Sequence, residues 1–130
     1  MTVVDASVIV PALAGDNDDG DQARRRLRGE TLYAPGILDL EVVSVIRRLL
    51  GSGELDERRA SLALGDLYDL DLRRVGHRPL LPRVWELRHT VTPYDAVYVA
   101  LAEAIGAVLV TADRRLAAAP GPRCVIEVLA

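Results

Sequence analysis

Lysine is absent from this 130-residue chain, phenylalanine is absent too, and there is a single cysteine, Cys124. Each gap excludes something. One cysteine rules out an internal disulfide framework and makes a zinc cage improbable, which fits a reducing compartment. Without phenylalanine and with only 4% aromatic residues, the core has to be built from Leu, Val, Ile and Ala. Every basic residue except the two histidines is arginine. Reactions that need a lysine beside a carboxylate are therefore unavailable. The net charge is −3, from 19 acidic and 16 basic residues. That balance argues against a protein that coats nucleic-acid phosphates passively. No apolar run reaches the roughly 20 residues a membrane-spanning helix needs. The longest candidate, residues 96–110, contains Glu103. No basic residue precedes the first apolar run, and Asp5 interrupts it, so no signal peptide is expected. These readings lead to a soluble, cytoplasmic protein.

Half of the residues are hydrophobic, enough for one core, and the length suits a single domain over 1–130. No internal repeat or linker interrupts the chain. Short apolar strands are expected at 2–5, 31–34, 70–75, 107–111 and 124–129. Helices are expected at 6–14, 22–28, 35–50, 55–68, 79–88, 93–105 and 114–119, with 15–21 as an acidic loop. Strands alternating with helices predict an α/β fold, a mainly parallel sheet covered on both faces. In such sheets, sites form beyond the carboxyl ends of the strands.

Four carboxylates fall at informative places. Asp5 closes the first strand in "VVDASVIV", where an unpaired buried charge costs several kcal/mol. Asp113 follows the apolar strand of "VLVTADRRL" in the same manner. Both read equally well as helix N-caps. Asp95 sits three residues after Thr92, at a capping-box position, but it opens a helix that is apolar nearly all round. Glu41 lies at the margin of an apolar helical stripe, and no basic residue follows it at helical spacing. Each acid has a local explanation. Their joint placement at strand ends and buried helix faces predicts one acidic constellation, whose mutual repulsion a divalent cation would relieve. All-oxygen ligation suits Mg²⁺ or Mn²⁺. His77 and His89 lie outside the pattern. An acidic site holding Mg²⁺ points to phosphoryl chemistry. Receiver domains and haloacid-dehalogenase-type phosphatases fit poorly, because the lysine and the Asp-x-Asp pair are missing.

"VVDASVIV", "APGILDLEV", "TPYDAVYVALAE" and "LVTADRRL" together resemble, in order and spacing, the motifs of PIN-domain nucleases. The compact form is similar to the VapC toxins of bacterial toxin–antitoxin pairs. This resemblance implies a three-layer α/β/α fold and a metal-dependent endoribonuclease. Its expected substrate is structured RNA such as transfer or ribosomal RNA. It further implies inhibition by a cognate antitoxin protein, and a homodimer. Carried over, Asp5, Glu41, Asp95 and Asp113 become the catalytic, metal-binding acids. Ser7 and Thr111 become accessory hydroxyls, though ordinary strand-end hydrogen bonding explains them as well. Arg114 and Arg115 are the expected phosphate contacts, and "RRRLR" at 24–28 is a denser basic patch. The helical pair 37–50 and 55–67 offers apolar surface for an antitoxin segment, or for plain core packing. Alternatives kept open are a PIN-like interaction module with little catalysis, DNA cleavage by the same metal logic, and a Mg²⁺ phosphatase.

Overall fold

Three residues, Thr2–Val4, make the strand from which the rest is organised. This strand, β1, is fully buried and lies at the centre of a five-stranded sheet of order β3-β2-β1-β4-β5. The other strands are β2 (Leu32–Pro35), β3 (Leu72–Val75), β4 (Val108–Thr111) and β5 (Ile126–Val128). In this computed structural model, which describes residues 1–129, every strand pairing is parallel. The mainly parallel sheet expected from sequence is thus wholly parallel among the described residues. Strands covered on both faces carry continuous apolar runs, and Val3, Val4, Leu109 and Val110 are all inaccessible to solvent.

Helices α1 (Ala6–Ala14), α2 (Asp18–Leu27), α3 (Ile37–Ser52) and α4 (Glu57–Asp69) join β1 to β2 and β2 to β3. Of these, α1 packs against α2, α3 and α4. A short 3₁₀ turn at Arg78–Leu80, α5 (Leu81–Glu86) and α6 (Pro93–Ile105) lead from β3 back to β4. Helix α6 lies on β1, β2 and β4 with α5 against it, and α7 (Arg114–Ala118) sits beside β5. The result is a three-layer α/β/α arrangement. The chain moves from β1 outward to β3, then crosses to β4 on the other side of β1. That reversal opens a crevice beyond the carboxyl ends of β1 and β4. Pairing of Val4 with Val110 brings Asp5, just after β1, and Thr111, the last residue of β4, to the same crevice.

The segment 15–21 departs from the expected loop. Asn17 caps a helix that begins at Asp18, four residues before the expected start. Asp18, Asp19 and Asp21 fill the first turn and Arg24, Arg25 and Arg26 the last. Both charge placements favour the helix dipole, which outweighs the loop-like composition. Gly20 is needed where α2 passes the end of α1, because a Cβ there would stand 2.4 Å from the Gly15 carbonyl oxygen. The expected helix 79–88 divides into the 3₁₀ turn and α5. Helix α6 stops at Gly106, whose φ of 66° suits glycine. The pair α3–α4 turns Val42, Ile46, Ala63 and Leu67 into the core, while Leu40, Val43, Leu62 and Leu64 stay exposed. No helix among the described residues is long and apolar enough to cross a membrane.

Candidate active site

Asp5 is the most buried of the four acids, with 8% of its surface exposed. Its carboxylate is held on both oxygens. Oδ1 accepts the Ser7 backbone N–H at 3.1 Å and the Ser7 hydroxyl at 2.5 Å. Oδ2 accepts the Thr111 hydroxyl at 2.6 Å. The two hydroxyls are themselves oriented by backbone donors, since Ser7 Oγ accepts the Ala112 N–H and Thr111 Oγ1 the Asp113 N–H. Each hydroxyl hydrogen is committed to Asp5, so the 3.3 Å contact between Ser7 Oγ and Thr111 Oγ1 adds no further bond. Ser7 and Thr111 therefore brace Asp5 by hydrogen bonding at the strand ends. Asp5 is also the N-cap of α1 and Asp113 the N-cap of α7, so capping and placement at the crevice are one arrangement.

Asp95 shows where the capping-box reading stops. Its backbone N–H donates to Thr92 Oγ1 at 3.3 Å. The Thr92 hydroxyl also lies beside the Asp95 carboxylate and opposes the rise of its pKa, but the cap brings no positive charge to it. The Glu41 carboxylate accepts the hydroxyl of the buried Tyr98 at 2.5 Å, and no other hydrogen bond reaches it among the described residues.

Electrostatics ties the four together. Burial pushes the Asp5 carboxyl up from its ordinary value. The Ser7 and Thr111 bonds oppose that rise, and the Asp95 charge adds to it. Burial also raises Glu41; Tyr98 opposes the rise, and Asp95 and Asp5 add to it. Asp95 is raised by burial and by Asp113, with Thr92 and Arg115 pulling the other way. Asp95 thus feels or affects each of the other three. None of Asp5, Glu41 or Asp95 has a cationic partner within salt-bridge distance among the described residues. Asp113 has only the exposed Arg115 guanidinium, 3.9 Å away. Tyr98 sits far above the usual tyrosine range because it is buried beside Glu41, and so remains a donor.

The constellation is looser than the sequence suggested. Among the described residues, no three acidic, histidine or cysteine side chains stand close enough together to hold a metal ion as they are. The acids come from four separate elements, and like charges without a cation have no reason to approach. Mg²⁺ commonly takes one or two carboxylates and keeps water for the rest. The donor chemistry fits such an ion: all oxygen, largely buried, and balanced by no more than the exposed Arg115 guanidinium among the described residues.

The expected arginines separate. Arg115 lines a groove of about 270 Å³ with Asp95, Asp113, Thr90 and Thr92. Arg114 points instead into a cleft bounded by Ser7, Pro11, Asp19, Gln22 and Leu129. Adjacent residues on a helix diverge by about 100°. The patch at 24–28 is partly consumed by structure. Arg24 pairs with Asp21 and donates to the Ala12 and Gly15 carbonyls, and Arg26 bridges Glu30 and Glu127.

Two features escaped the sequence reading. One is Tyr98, which reads as core in so apolar a helix; its position one turn after Asp95 was the available signal. The other is a strut behind the groove. Arg83 makes a two-pronged pair with Glu103, at 2.7 and 3.2 Å, and donates to the Gly121 carbonyl. Glu103 also accepts the Arg123 N–H, and the Thr90 hydroxyl donates to the Pro120 carbonyl. These bonds pin the segment that follows α7.

The PIN domain family matches residues 2–122. Over 128 residues, 98% of this chain and 96% of the relative, the sequence is 45% identical to Ribonuclease VapC1 of Mycobacterium tuberculosis. The chain belongs to the PIN domain family, within its VapC group. Solved structures share the fold. VapC20 of M. tuberculosis, described as a sarcin-ricin loop cleaving toxin, superposes with a TM-score of 0.70 at 17% identity, covering 91% of this chain and 94% of that one. VapBC2 from Rickettsia felis, bound to a promoter DNA fragment, gives 0.69 at 16% identity, with 98% and 97% covered.

Proposed function

We propose that this chain is a Mg²⁺-dependent endoribonuclease, the toxin of a toxin–antitoxin pair, that hydrolyses phosphodiester bonds in structured RNA such as transfer or ribosomal RNA. The observation that carries this reading is the set of four carboxylates at the switch point of the sheet, three of them with no cation within salt-bridge distance among the described residues. Relatives called ribonucleases support RNA as the substrate. Asp5, Glu41, Asp95 and Asp113 would hold the ion, with Mn²⁺ as a possible substitute. When bound, the ion supplies charge neutralisation and Lewis-acid polarisation of the phosphate and of water. The chain's own residues do the rest. Ser7 and Thr111 fix the Asp5 oxygens, Asp95 and Asp113 face the groove, and Arg115 at its edge meets the RNA phosphates.

An apolar cleft of about 280 Å³ opens between Ile37 of α3, Leu81 and Val84 of α5, and Pro93, Tyr94 and Val97 of α6. It lies one helical turn from Glu41 on α3 and next to Asp95 on α6. We assign the antitoxin's amphipathic segment to this cleft rather than to the α3–α4 surface alone. The VapBC2 pair supports an antitoxin partner. The same reading makes the chain a homodimer in the cytoplasm.

Cleavage of bulk RNA by wild type and by Asp95→Asn, each with Mg²⁺ and with chelator, tests the proposal. Wild type with Mg²⁺ is expected to cut, and the other three conditions to lose at least about 100-fold in rate, the scale of a lost charge-stabilising group. Equal cutting in chelator, or by Asp95→Asn, overturns it.

A further inference from the structure

We propose that Tyr98 is a positioning residue of the acidic site, acting through Glu41 on the binding of the divalent cation. The inference rests on the metal-dependent reading above. Tyr98 is only 1% exposed and lies in α6 one turn beyond Asp95, amid Ala96, Val97, Val99, Ala100, Leu101 and Ala102, all buried. Its hydroxyl crosses to α3 and donates to Glu41 Oε1. A phenylalanine would fill the same space without bringing a polar atom into the core. Among the described residues the hydroxyl has one partner, and that partner is a site acid.

The bond does two things for Glu41. A glutamate has three rotatable bonds, and no guanidinium or backbone donor fixes this one among the described residues. Tyr98 selects the orientation and leaves Oε2 without a donor among the described residues. It also couples the two helices that carry Glu41 and Asp95, so that both carboxylates are held relative to one another before an ion arrives. Groups that orient metal ligands in this way typically contribute 10- to 100-fold to affinity.

Titration calorimetry with Mn²⁺ alone, on the full chain without RNA, tests this. The proteins are wild type, Tyr98→Phe, Glu41→Gln and the double variant. Tyr98→Phe is expected to weaken Mn²⁺ binding about tenfold, and Glu41→Gln at least as much. The double variant should bind no more weakly than Glu41→Gln, because Tyr98 has nothing left to orient. Glu41→Asp keeps the charge but withdraws it from the hydroxyl, and should repeat the loss if Tyr98→Phe folds poorly. Tyr98→Phe or Glu41→Asp binding within twofold of wild type overturns the inference, as do losses that add in the double variant. Wild type that binds no Mn²⁺ overturns the metal reading itself, and this inference with it; wild-type binding with an unaffected Tyr98→Phe overturns the inference alone.

Discussion

Replacing Asp5 by asparagine and by alanine should move stability in opposite directions. Alanine removes the N-cap of α1, worth about 1 kcal/mol. It also leaves the fully buried Thr111 hydroxyl without its acceptor, a further cost of about 1–3 kcal/mol. Asparagine caps a helix as well as aspartate does. Its oxygen accepts the Ser7 donors, and its amide donates to Thr111 Oγ1, which has a second lone pair beside the one taken by the Asp113 N–H. The Thr111 hydrogen loses Oδ2 and turns to Ser7 Oγ, 3.3 Å away, so the chief loss is the charge, which is buried and repelled by Asp95. Without metal at pH 7, Asp5→Ala should lose about 1–3 kcal/mol once relief of the same charge is set against these costs, roughly 5–10 °C in Tm for a chain of this length. Asp5→Asn should gain about 1 kcal/mol, because removing an uncompensated buried charge relieves desolvation. The sign with pH follows. The folded state holds the Asp5 proton more tightly than the unfolded chain does, so the wild type loses stability as pH rises from about the ordinary value of 3.8 through the raised one. The advantage of Asp5→Asn is therefore absent near the bottom of that window and complete above it. Thermal melts in chelator from acid to neutral pH measure both. Asp5→Asn as unstable as Asp5→Ala at pH 7, or an advantage that does not change with pH, would refute the claim that this charge is uncompensated.

Two further outcomes follow from the groove and its support. Arg115 is 97% exposed, and its pairing with Asp113 is long, so Arg115→Ala should change stability by less than about 0.5 kcal/mol. In an Asp95→Asn background that leaves RNA uncut, it should weaken RNA binding and lower the slope of log affinity against log salt by about 1; an unchanged slope removes Arg115 from the phosphate contacts. Glu103→Gln should cost about 2 kcal/mol at pH 7, because the Arg83–Glu103 pair is largely enclosed, at 19% and 16% side-chain exposure. Burial alone would raise the Glu103 carboxyl, but Arg83 and the Arg123 N–H outweigh it and hold the group below its ordinary value of 4.5. Its contribution is present above that value and fades as pH falls through the lowered one, opposite to Asp5. Urea melts at pH 7 and pH 3 should show the difference from wild type shrinking in acid; a constant difference would mean that the charge is not what matters.

The elements that periodicity and strand-end chemistry govern were legible in the residues. The strands after Met1 and before Asp113, the long helix after Pro35 and the buried helix after Thr92 each stand within a residue or two of their expected limits. The ordered acids pointed to the rim where Asp5 and Asp113 now stand. What stayed hidden depends on distant partners. The strand order that makes β1 and β4 neighbours is a property of pairing across more than 100 residues. Whether an arginine is free or spent is decided elsewhere in the chain: Arg26 is spent on Glu127, which local sequence cannot show. Arg114 and Arg115 look equivalent until the helix turns them apart. The spacing of the acids was beyond reach as well, because it balances their repulsion against the packing of four elements.

That balance has a further contributor, which explains how a net acidic protein keeps such a cluster at its rim. Asp5 caps α1, Asp113 caps α7, and Asp95 lies in the first turn of α6. Three of the four acids thus sit at helix N-termini, where unpaired N–H groups carry partial positive charge and favour a carboxylate by up to about 1 kcal/mol each. Glu41 lies further along its helix, beyond that help, and it is the acid that takes a tyrosine hydroxyl instead. The chain therefore supports each charge locally and leaves their mutual repulsion in place. A cation can relieve that repulsion, and an apolar or neutral ligand cannot.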